Sequence, residues 1–518
     1  MKAVGLTSGG LRRVLATGLR SSQGDLIAGA EVSRGHSRRQ RTAEGPNGGW
    51  SGGAVISRDP MRQEDRSNLN PRFGAGGEAP SAGAGAAEAR AARTCLDQTA
   101  VAGPSMEAIV ERENLKRALA RVKRNKGAAG NDGMTVEELP AYLKEHWPTI
   151  RAQLCEGTYK PQPVRRVEIP KASGGLRPLG IPTVLDRFIQ QAVLQVLQTE
   201  WDRTFSESSY GFRPGRSAHQ AVAEAQAYIA SRHAFVVDID LEKFFDRVNH
   251  DILMGLVAKR VADKRLLKLI RGFLTAGVLE GGLVSPTEEG TPQGGPLSPL
   301  LSNLMLDVLD KELERRGHRF VRYADDCNIY VRSRKAGERV MASIERFLDK
   351  RLKLKVNKAK SAVARPIVRK FLGFSFTWGR RPRRRIAPQA IARCKARVRE
   401  LTRRTTGRSL KQIIEKLALY LKGWRGYFGF CQTPSVLHKL DEWIRRRLRA
   451  VVWTQWKRGP TRFDELRRRG VDRESALKTA GNPRGPWRLA NSATLAKALP
   501  KAFFASLGLP SLAVRRTA

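Results

Sequence analysis

The chain has 518 residues, with 95 Lys and Arg against 49 Asp and Glu and a net charge of +46; a folded body tolerates such charge when a polyanion is its normal partner. Its five cysteines, Cys95, Cys155, Cys327, Cys394 and Cys431, include no CxxC spacing, which excludes a zinc ribbon or a disulfide framework and suits a reducing cytoplasm. No long uncharged apolar run and no basic amphipathic anchor points to a membrane.

Residues 1–105 are rich in Gly, Ala, Ser and Arg, carry only +5 of the charge and show no sustained apolar period. They read as a disordered leader. Its start, LRRVLATGLRSS, loosely resembles an organellar presequence but lacks the apolar core of a secretory signal. Met106 opens a patterned helix, MEAIVERENLKRALARVKRNKG. From Val164, VRRVEIPKASGGLRPLGIP reads as two strands around a Ser173-Gly174-Gly175 turn. A helix follows, with Leu185, Phe188, Ile189, Ala192, Val193, Val196, Leu197 and Trp201 on one face. In YGFRPGRSAHQAV, Ser217 and Gln220 form a capping box for the next helix. HAFVVDIDLEKFFDRVNHD reads as strand, turn and helix, with Asp246 as the helix cap. EEGTPQGGPLSPLLSNLMLDVLDKEL is a Gly/Pro loop feeding an apolar helix. FVRYADDCNIYVRS alternates as a hairpin with Asp325 and Asp326 at its tip. LKLKVNKAKS and KFLGFSF are strand-like at their apolar ends. Beyond about Thr377, RRPRRR at 380–385 opens Arg-laden helical sequence with few strand signals, and from about Gly459 Gly/Pro breaks separate short basic helices. The order predicts an α+β fold with a small, mostly antiparallel sheet.

Two adjacent acids at a hairpin tip repel each other. The ordinary reading is that Asp favours turns through its own backbone. The sharper one is that hard divalent cations, which prefer carboxylate oxygens, remove the repulsion. Asp238 and Asp240, two apart on a strand, share a face. With Asp325 and Asp326 they complete an acidic cluster able to hold two divalent ions. Such a pair activates a 3′-hydroxyl and stabilises a departing pyrophosphate.

Together and in this order, IPKASGGLRPLGIP, YGFRPGRSAHQAV, DLEKFFD, TPQGGPLSPLLSNLML, YADD and LKGWRGYFGF with LDEWIRRRLRAVVWTQWKR resemble a group II intron-encoded reverse transcriptase and maturase, from about Met106 to the C-terminus. The resemblance implies a right-hand polymerase, with fingers and palm over 106–376, a helical thumb or maturase domain over 377–459 and a basic nucleic-acid-binding segment over 460–518. It makes Asp240, Asp325 and Asp326 the ligands of two Mg²⁺ ions, with Mn²⁺ as a substitute and the Leu241 carbonyl beside them. Asp238 is left a supporting role. Lys171 and Arg177 would hold the incoming triphosphate. Phe245 would exclude a ribose 2′-hydroxyl, with Phe244 in the core. Gln293, Gly294, Tyr323 and Ala324 would face template and nucleotide. Lys360 matches a general acid for pyrophosphate, with Lys358 as its rival. Arg445, Arg446, Arg447 and Arg449 would bind RNA. Trp443 is expected in the core; Trp424 and Tyr427 stay open between packing and stacking. The implied partners are intron RNA, RNA template with DNA primer, target DNA and dNTPs, in a bacterial cytoplasm, with the oligomeric state open. The absence of Cys after Cys431 and of His after His438 leads us to expect no HNH nuclease. The competing readings are a non-catalytic splicing factor with a vestigial palm and a stand-alone retron-type reverse transcriptase.

A chain begun at Met106 is expected to be soluble and to extend a primer as the full chain does. Expression from that residue followed by a primer-extension assay checks this; a misfolded or inactive product would show that the leader contributes to the fold.

Overall fold

The computed structural model describes residues 103–170, 175–280, 283–291, 293–404 and 407–513; the leader expected to be disordered lies outside them up to residue 102. The helix expected from Met106 is two helices, α1 (Met106–Ile109) and α2 (Arg112–Asn125). Glu111 breaks it by capping α2, its carboxylate accepting from the Glu113 and Asn114 amides at 2.8 and 2.7 Å. The Met106 amide donates to Asp263 Oδ2 at 2.8 Å, which ties the start of the fold to a helix 157 residues away. Then come α3 (Leu139–Glu156), the antiparallel strands β1 (Val164–Pro170) and β2 (Leu176–Ile181), and α4 (Val184–Trp201). Thr183 caps α4 through the Asp186 amide, and the expected Ser217–Gln220 capping box starts α5 (Ala218–Ala230).

Strand β3 (Phe235–Ile239) is followed by α6 (His250–Ala258) and α7 (Lys264–Thr275). Asn249, not Asp246, caps α6, by accepting from the Ile252 amide; Asp246 sits three residues too early, in a single 3₁₀ turn. Two short strands that the sequence did not signal, β4 (Val278–Glu280) and β5 (Leu283–Ser285), complete a sheet of order β2-β1-β4-β5, with β4 parallel to β1. Next, α8 (Ser298–Arg315) buries twelve of its eighteen residues, so it is a central helix, with a charged solvent face only in its last turns, at Lys311, Glu314 and Arg315. The hairpin β6 (Arg319–Tyr323) and β7 (Asp326–Val331) and helix α9 (Arg334–Phe347) follow, and β8 (Ala362–Ala364) closes a second sheet of order β6-β7-β3-β8, antiparallel throughout. LKLKVNKAKS is not a strand: its one ladder contact is an isolated bridge from Val356 to Leu241.

This second sheet is buried on both faces. Side chains alternate along a strand, so Val237, Ile239, Phe320, Cys327 and Ile329 enter a core shared with α4, α6, α7 and α8. Val236, Val321 and Tyr330 enter a second core. The hairpin β9 (Phe374–Phe376) and β10 (Arg384–Ile386) straddles the boundary expected at 376/377 and packs into that second core. The strand within RRPRRR was masked by its charge. Arg384 stacks on Phe430 at 3.8 Å and bonds Gln226 at 2.5 Å, so this cation is absorbed by the fold. Helices α10 (Pro388–Leu401), α11 (Leu410–Phe428), α12 (Ser435–Gln455) and α13 (Gly459–Arg468) form the body of the second core. The segment expected as a separate basic tail continues it: Leu495, Leu499, Phe504 and Leu512 are fully buried there, and Asp441 on α12 accepts from the Leu512 amide at 2.9 Å. No helix among the described residues is long and apolar enough to cross a membrane.

One polar pair lies between sheet and helix. Arg322 shares the α8-facing side of β6 with Phe320 and is completely buried, as is Asp310 on α8. Its Nε donates to Asp310 Oδ1 at 2.8 Å and its Nη2 to Oδ2 at 2.5 Å. Nη1 donates to Asn303 Oδ1 at 3.0 Å and to the Ala324 carbonyl at 2.9 Å. Removing one member of such a pair strands the other charge in the core. Asp310→Ala is therefore expected to cost about 3–5 kcal/mol, read as a fall in the thermal unfolding midpoint. The double variant Asp310→Leu/Arg322→Met recovers most of it, and a single variant as stable as wild type would contradict this account.

Candidate active site

The hairpin tip is set by backbone geometry. Tyr323 pairs with Asp326, so Ala324 and Asp325 are the two turn residues. Ala324 adopts φ +56°, the first-position geometry of a tight hairpin turn, at a cost of about 1 kcal/mol for a residue with a Cβ. The turn is braced from beneath. Arg322 holds the Ala324 carbonyl; Tyr210 and Arg322 exchange backbone bonds with their neighbours across the sheet edge. Gly211 lies so close that a Cβ there would meet the Ala324 nitrogen at 2.2 Å. Only glycine allows that approach, and Asn303 fixes the Gly211 carbonyl at 2.8 Å.

Strand β3 delivers the other acids. Its register against β7 runs from Phe235–Val331 to Ile239–Cys327; one further step sets Asp240 opposite Asp326. Asp240, Asp238 and Asp326 thus fall on the side of the sheet that faces the second core. The Asp240 carbonyl accepts from the Asn357 amide at 2.8 Å, and its amide donates to Ser361 Oγ at 3.0 Å. Leu241 is buried, bridged to Val356. Lys360 places Nζ 3.5 Å from Asp240 Oδ2, whereas Lys358 pairs with Glu345 at 3.0 Å. Of the two lysines, the structure brings Lys360 to Asp240 and sends Lys358 to Glu345. Asp238 is bound by Arg369, whose Nε lies 2.8 Å from its Oδ2 and whose Nη2 also holds the Lys360 carbonyl at 2.5 Å. Burial pushes the Asp238 carboxyl above its usual range, against the pull of Arg369. Asp238 is thus built into the sheet as an ion pair. No three His, Cys, Asp or Glu side chains among the described residues converge as a finished metal cage. The donors adjacent in register are all carboxylates, the set a hard divalent cation prefers, and the Lys360 ammonium lies beside Asp240.

Beside the hairpin opens a cavity of about 660 Å³ lined by Phe245, Gln293, Gly294 and Tyr323, with Arg187, Arg213 and Arg216. Phe244 is buried beneath, and Phe245 is half-buried on its wall. The Phe245 carbonyl accepts from the Thr291 amide at 2.6 Å, and Gln293 Nε2 donates to Asp246 Oδ1 at 3.3 Å. Gly294, at φ +150°, lies where a Cβ would meet the Gly180 carbonyl at 2.4 Å; the Gly180 amide in turn donates to the Gln293 carbonyl. Strand β2 thus rests on the Gln293-Gly294 turn. Arg177 on β2 pairs through its backbone with Ile169; its side chain and Lys171 lie outside the described residues. Arg187, which sequence reading missed, donates to the Ala128 carbonyl at 2.5 Å, and burial lowers its guanidinium to about 10. Its signal was faint: Arg187 lies off the apolar face of α4, on a side it shares with Gln190, Gln191 and Gln198.

The arginines of α12 are partly spent on the fold. Arg446 bonds the Trp487 carbonyl and stacks on that ring at 4.1 Å. Arg447 donates to Thr402 Oγ1 at 2.8 Å and Arg449 to the Leu499 carbonyl at 3.1 Å; burial lowers the pKa of both. Arg445 is half-buried on the same helix. Trp443 is half-buried and packs against the edge of the second core, with Lys395, Arg399 and Arg447 within 5.7 Å of its ring centre. Trp424 packs inside, and Tyr427 bonds the Leu372 carbonyl at 2.8 Å.

Residues 169–376 match the family described as reverse transcriptase (RNA-dependent DNA polymerase), and residues 391–470 match the group II intron maturase-specific domain. Protein YkfC of Escherichia coli (strain K12) is 34% identical over 295 residues, which cover 49% of this chain and 77% of that protein. Group II intron-encoded protein LtrA of Lactococcus lactis subsp. cremoris is 42% identical over 188 residues, 36% of this chain and 31% of LtrA. The putative COX1/OXI3 intron 2 protein of Saccharomyces cerevisiae is 34% identical over 203 residues, 38% of this chain and 23% of that protein. The match thus spans less than a third of the two intron-encoded relatives. The polymerase sheet, the helical second core and these matches together make the chain a member of the group II intron-encoded reverse transcriptase and maturase family.

Proposed function

We propose that this protein is an RNA-directed DNA polymerase that copies its intron RNA into cDNA during retrohoming and binds the same RNA to assist splicing. The observation that carries the reading is the register that sets Asp240 opposite Asp326 at the end of a braced hairpin, beside a cavity walled by Phe245 and Gln293. Asp240, Asp325, Asp326 and the Leu241 carbonyl would hold two divalent ions, Mg²⁺ by preference and Mn²⁺ as a substitute. When bound, these ions activate the primer 3′-hydroxyl and neutralise the triphosphate. The chain's own residues do the rest. Phe245 stands at the sugar. Gln293 and Gly294 present a backbone turn to template and nucleotide, with Asp246 fixing the Gln293 amide. Tyr323 and Ala324 shape the floor of the site. Lys171 and Arg177 would engage the triphosphate from the fingers hairpin. As the 3′-oxygen bonds to the α-phosphorus and the bond to pyrophosphate breaks, Lys360 is placed to give the leaving group its proton. The α12 arginines add charge for RNA where the fold does not consume it. We place the protein in a bacterial cytoplasm, with target DNA as a partner.

Asp325→Ala or Asp326→Ala is expected to abolish cDNA synthesis and leave RNA affinity nearly unchanged, because both roles need the fold and polymerisation alone needs the metals. Primer extension beside an RNA-binding titration checks this, and retained extension would refute the assignment. It also separates this reading from a splicing factor with a vestigial palm, which extends nothing as wild type.

Phe245→Ala is expected to raise incorporation of ribonucleotides relative to deoxyribonucleotides. One relieved clash corresponds to roughly 2–4 kcal/mol, or about 30- to 1000-fold in the ratio of kcat/KM values. Phe244→Ala should instead destabilise the protein by about 3–5 kcal/mol with no change in that ratio. Paired measurements of matched dNTP and rNTP on an RNA template decide it; a shift seen with Phe244→Ala instead would move the whole motif by one residue.

A further inference from the structure

Residues 350–399 contain eighteen Lys and Arg and no Asp or Glu. Other charged helix surfaces interleave the two signs as ion pairs, such as Arg315 and Arg316 with Glu312. This stretch has no internal acid to neutralise it. In its midst Trp378 keeps 63% of its surface exposed, an unusual place for the largest apolar side chain.

The ring is held in place. Trp378 lies in the loop of the β9–β10 hairpin, which is closed by the Thr377 amide on the Arg383 carbonyl at 2.9 Å and by the Arg383 amide on Thr377 Oγ1 at 2.8 Å. The Arg365 guanidinium sits 4.5 Å from the ring centre of Trp378 and 5.8 Å from that of Phe235. Arg365 follows β8 directly, and the β3–β8 register, which pairs Val236 with Ala364, places it opposite Phe235. The stack Phe235–Arg365–Trp378 is therefore anchored on β3 itself. Asp240 lies five residues further along that strand, about 16 Å away at ~3.3 Å per residue. Arg369, bound to Asp238, pins the intervening turn.

An exposed, preorganised aromatic backed by an arginine and flanked by Arg380 and Arg381 matches the way proteins seize unpaired bases: the ring takes the base face and the cations take the flanking phosphates. The geometry points to Trp378 as a stacking site for an unpaired base of single-stranded RNA, distinct from the cavity beside the palm hairpin. The lack of any acid in the surrounding stretch favours a polyanion over a protein partner. The inference rests on the proposed RNA-binding role and adds to it a defined contact.

The test is fluorescence anisotropy on the full-length protein with an end-labelled, unstructured RNA of about 20 nucleotides. A blunt RNA duplex and a DNA oligomer of the same sequence serve as the other arms. Trp378→Ala is expected to weaken the single-stranded RNA by about 5- to 150-fold, the range that loss of one stacked base corresponds to. It should leave the duplex unchanged and the thermal midpoint unmoved, since the side chain is exposed. Trp378→Phe, which keeps an aromatic face, should restore most of the affinity. Equal losses for duplex and single strand, unchanged affinity for the single strand, or a Phe variant as weak as the Ala variant would each overturn the site. An equal loss on DNA would overturn its assignment to RNA, and a change in oligomeric state without a change in RNA affinity would assign the surface to a second copy of the chain. Failure of the wild type to bind any RNA would instead sink the broader reading, so the two are told apart.

Discussion

The arrangement at the palm depends on a salt bridge that no solvent reaches. Arg322 carries a full charge into the interface between a sheet and its central helix, and all the contacts that compensate it come from elements of the site. Asp310 and Asn303 belong to α8, the Ala324 carbonyl to the acidic turn. Burying an ion pair this deeply gains little net stability over a well-packed apolar pair. What it gains here is position. A guanidinium has a rigid planar fork, so satisfying three partners at once fixes the height of the turn relative to the helix. Asn303 passes that constraint to Gly211, whose missing side chain lets the loop before α5 press against the same turn. The acids at the hairpin tip stand on a scaffold with few ways to shift.

Much of this was readable from residues, and the failures have physical causes. The hairpin, its two acids and the strand bearing Asp240 follow from period-2 alternation bounded by turn residues. Glycines 211 and 294 were visible as glycines, but their reason, a backbone packed within van der Waals reach, is a tertiary fact. Arg322 was hidden because charge at a strand position normally marks a solvent face, and here both faces of the sheet are covered. The same masking hid β10 within its run of arginines: Arg384 is consumed by Phe430 and Gln226. Strands β4 and β5 are three residues each, too short for any period to show. Asp246 was misassigned because the chain makes a 3₁₀ turn before the helix begins, moving the cap to Asn249.

Charge was the strongest signal in the sequence and the least specific. Three of the four arginines singled out on α12 hold helices together, and burial lowers the affinity of Arg447 and Arg449 for their protons. Composition reveals that a polyanion is expected; it does not say which cations remain to meet it. That distinction needs the partners of each side chain, and it shifts attention from the arginines of α12 toward the acid-free stretch at 350–399.

The two-faced sheet has a mechanical consequence. Val236, Val321 and Tyr330 are at once palm strands and the floor of the helical core that carries the maturase-specific region. The two regions therefore do not meet across a linker that could swing. Moving the helical region as one body against these strands would expose Val236, Val321 and Tyr330 to water. A polymerase built this way joins its helical core to the acid-bearing sheet through side chains that both regions bury.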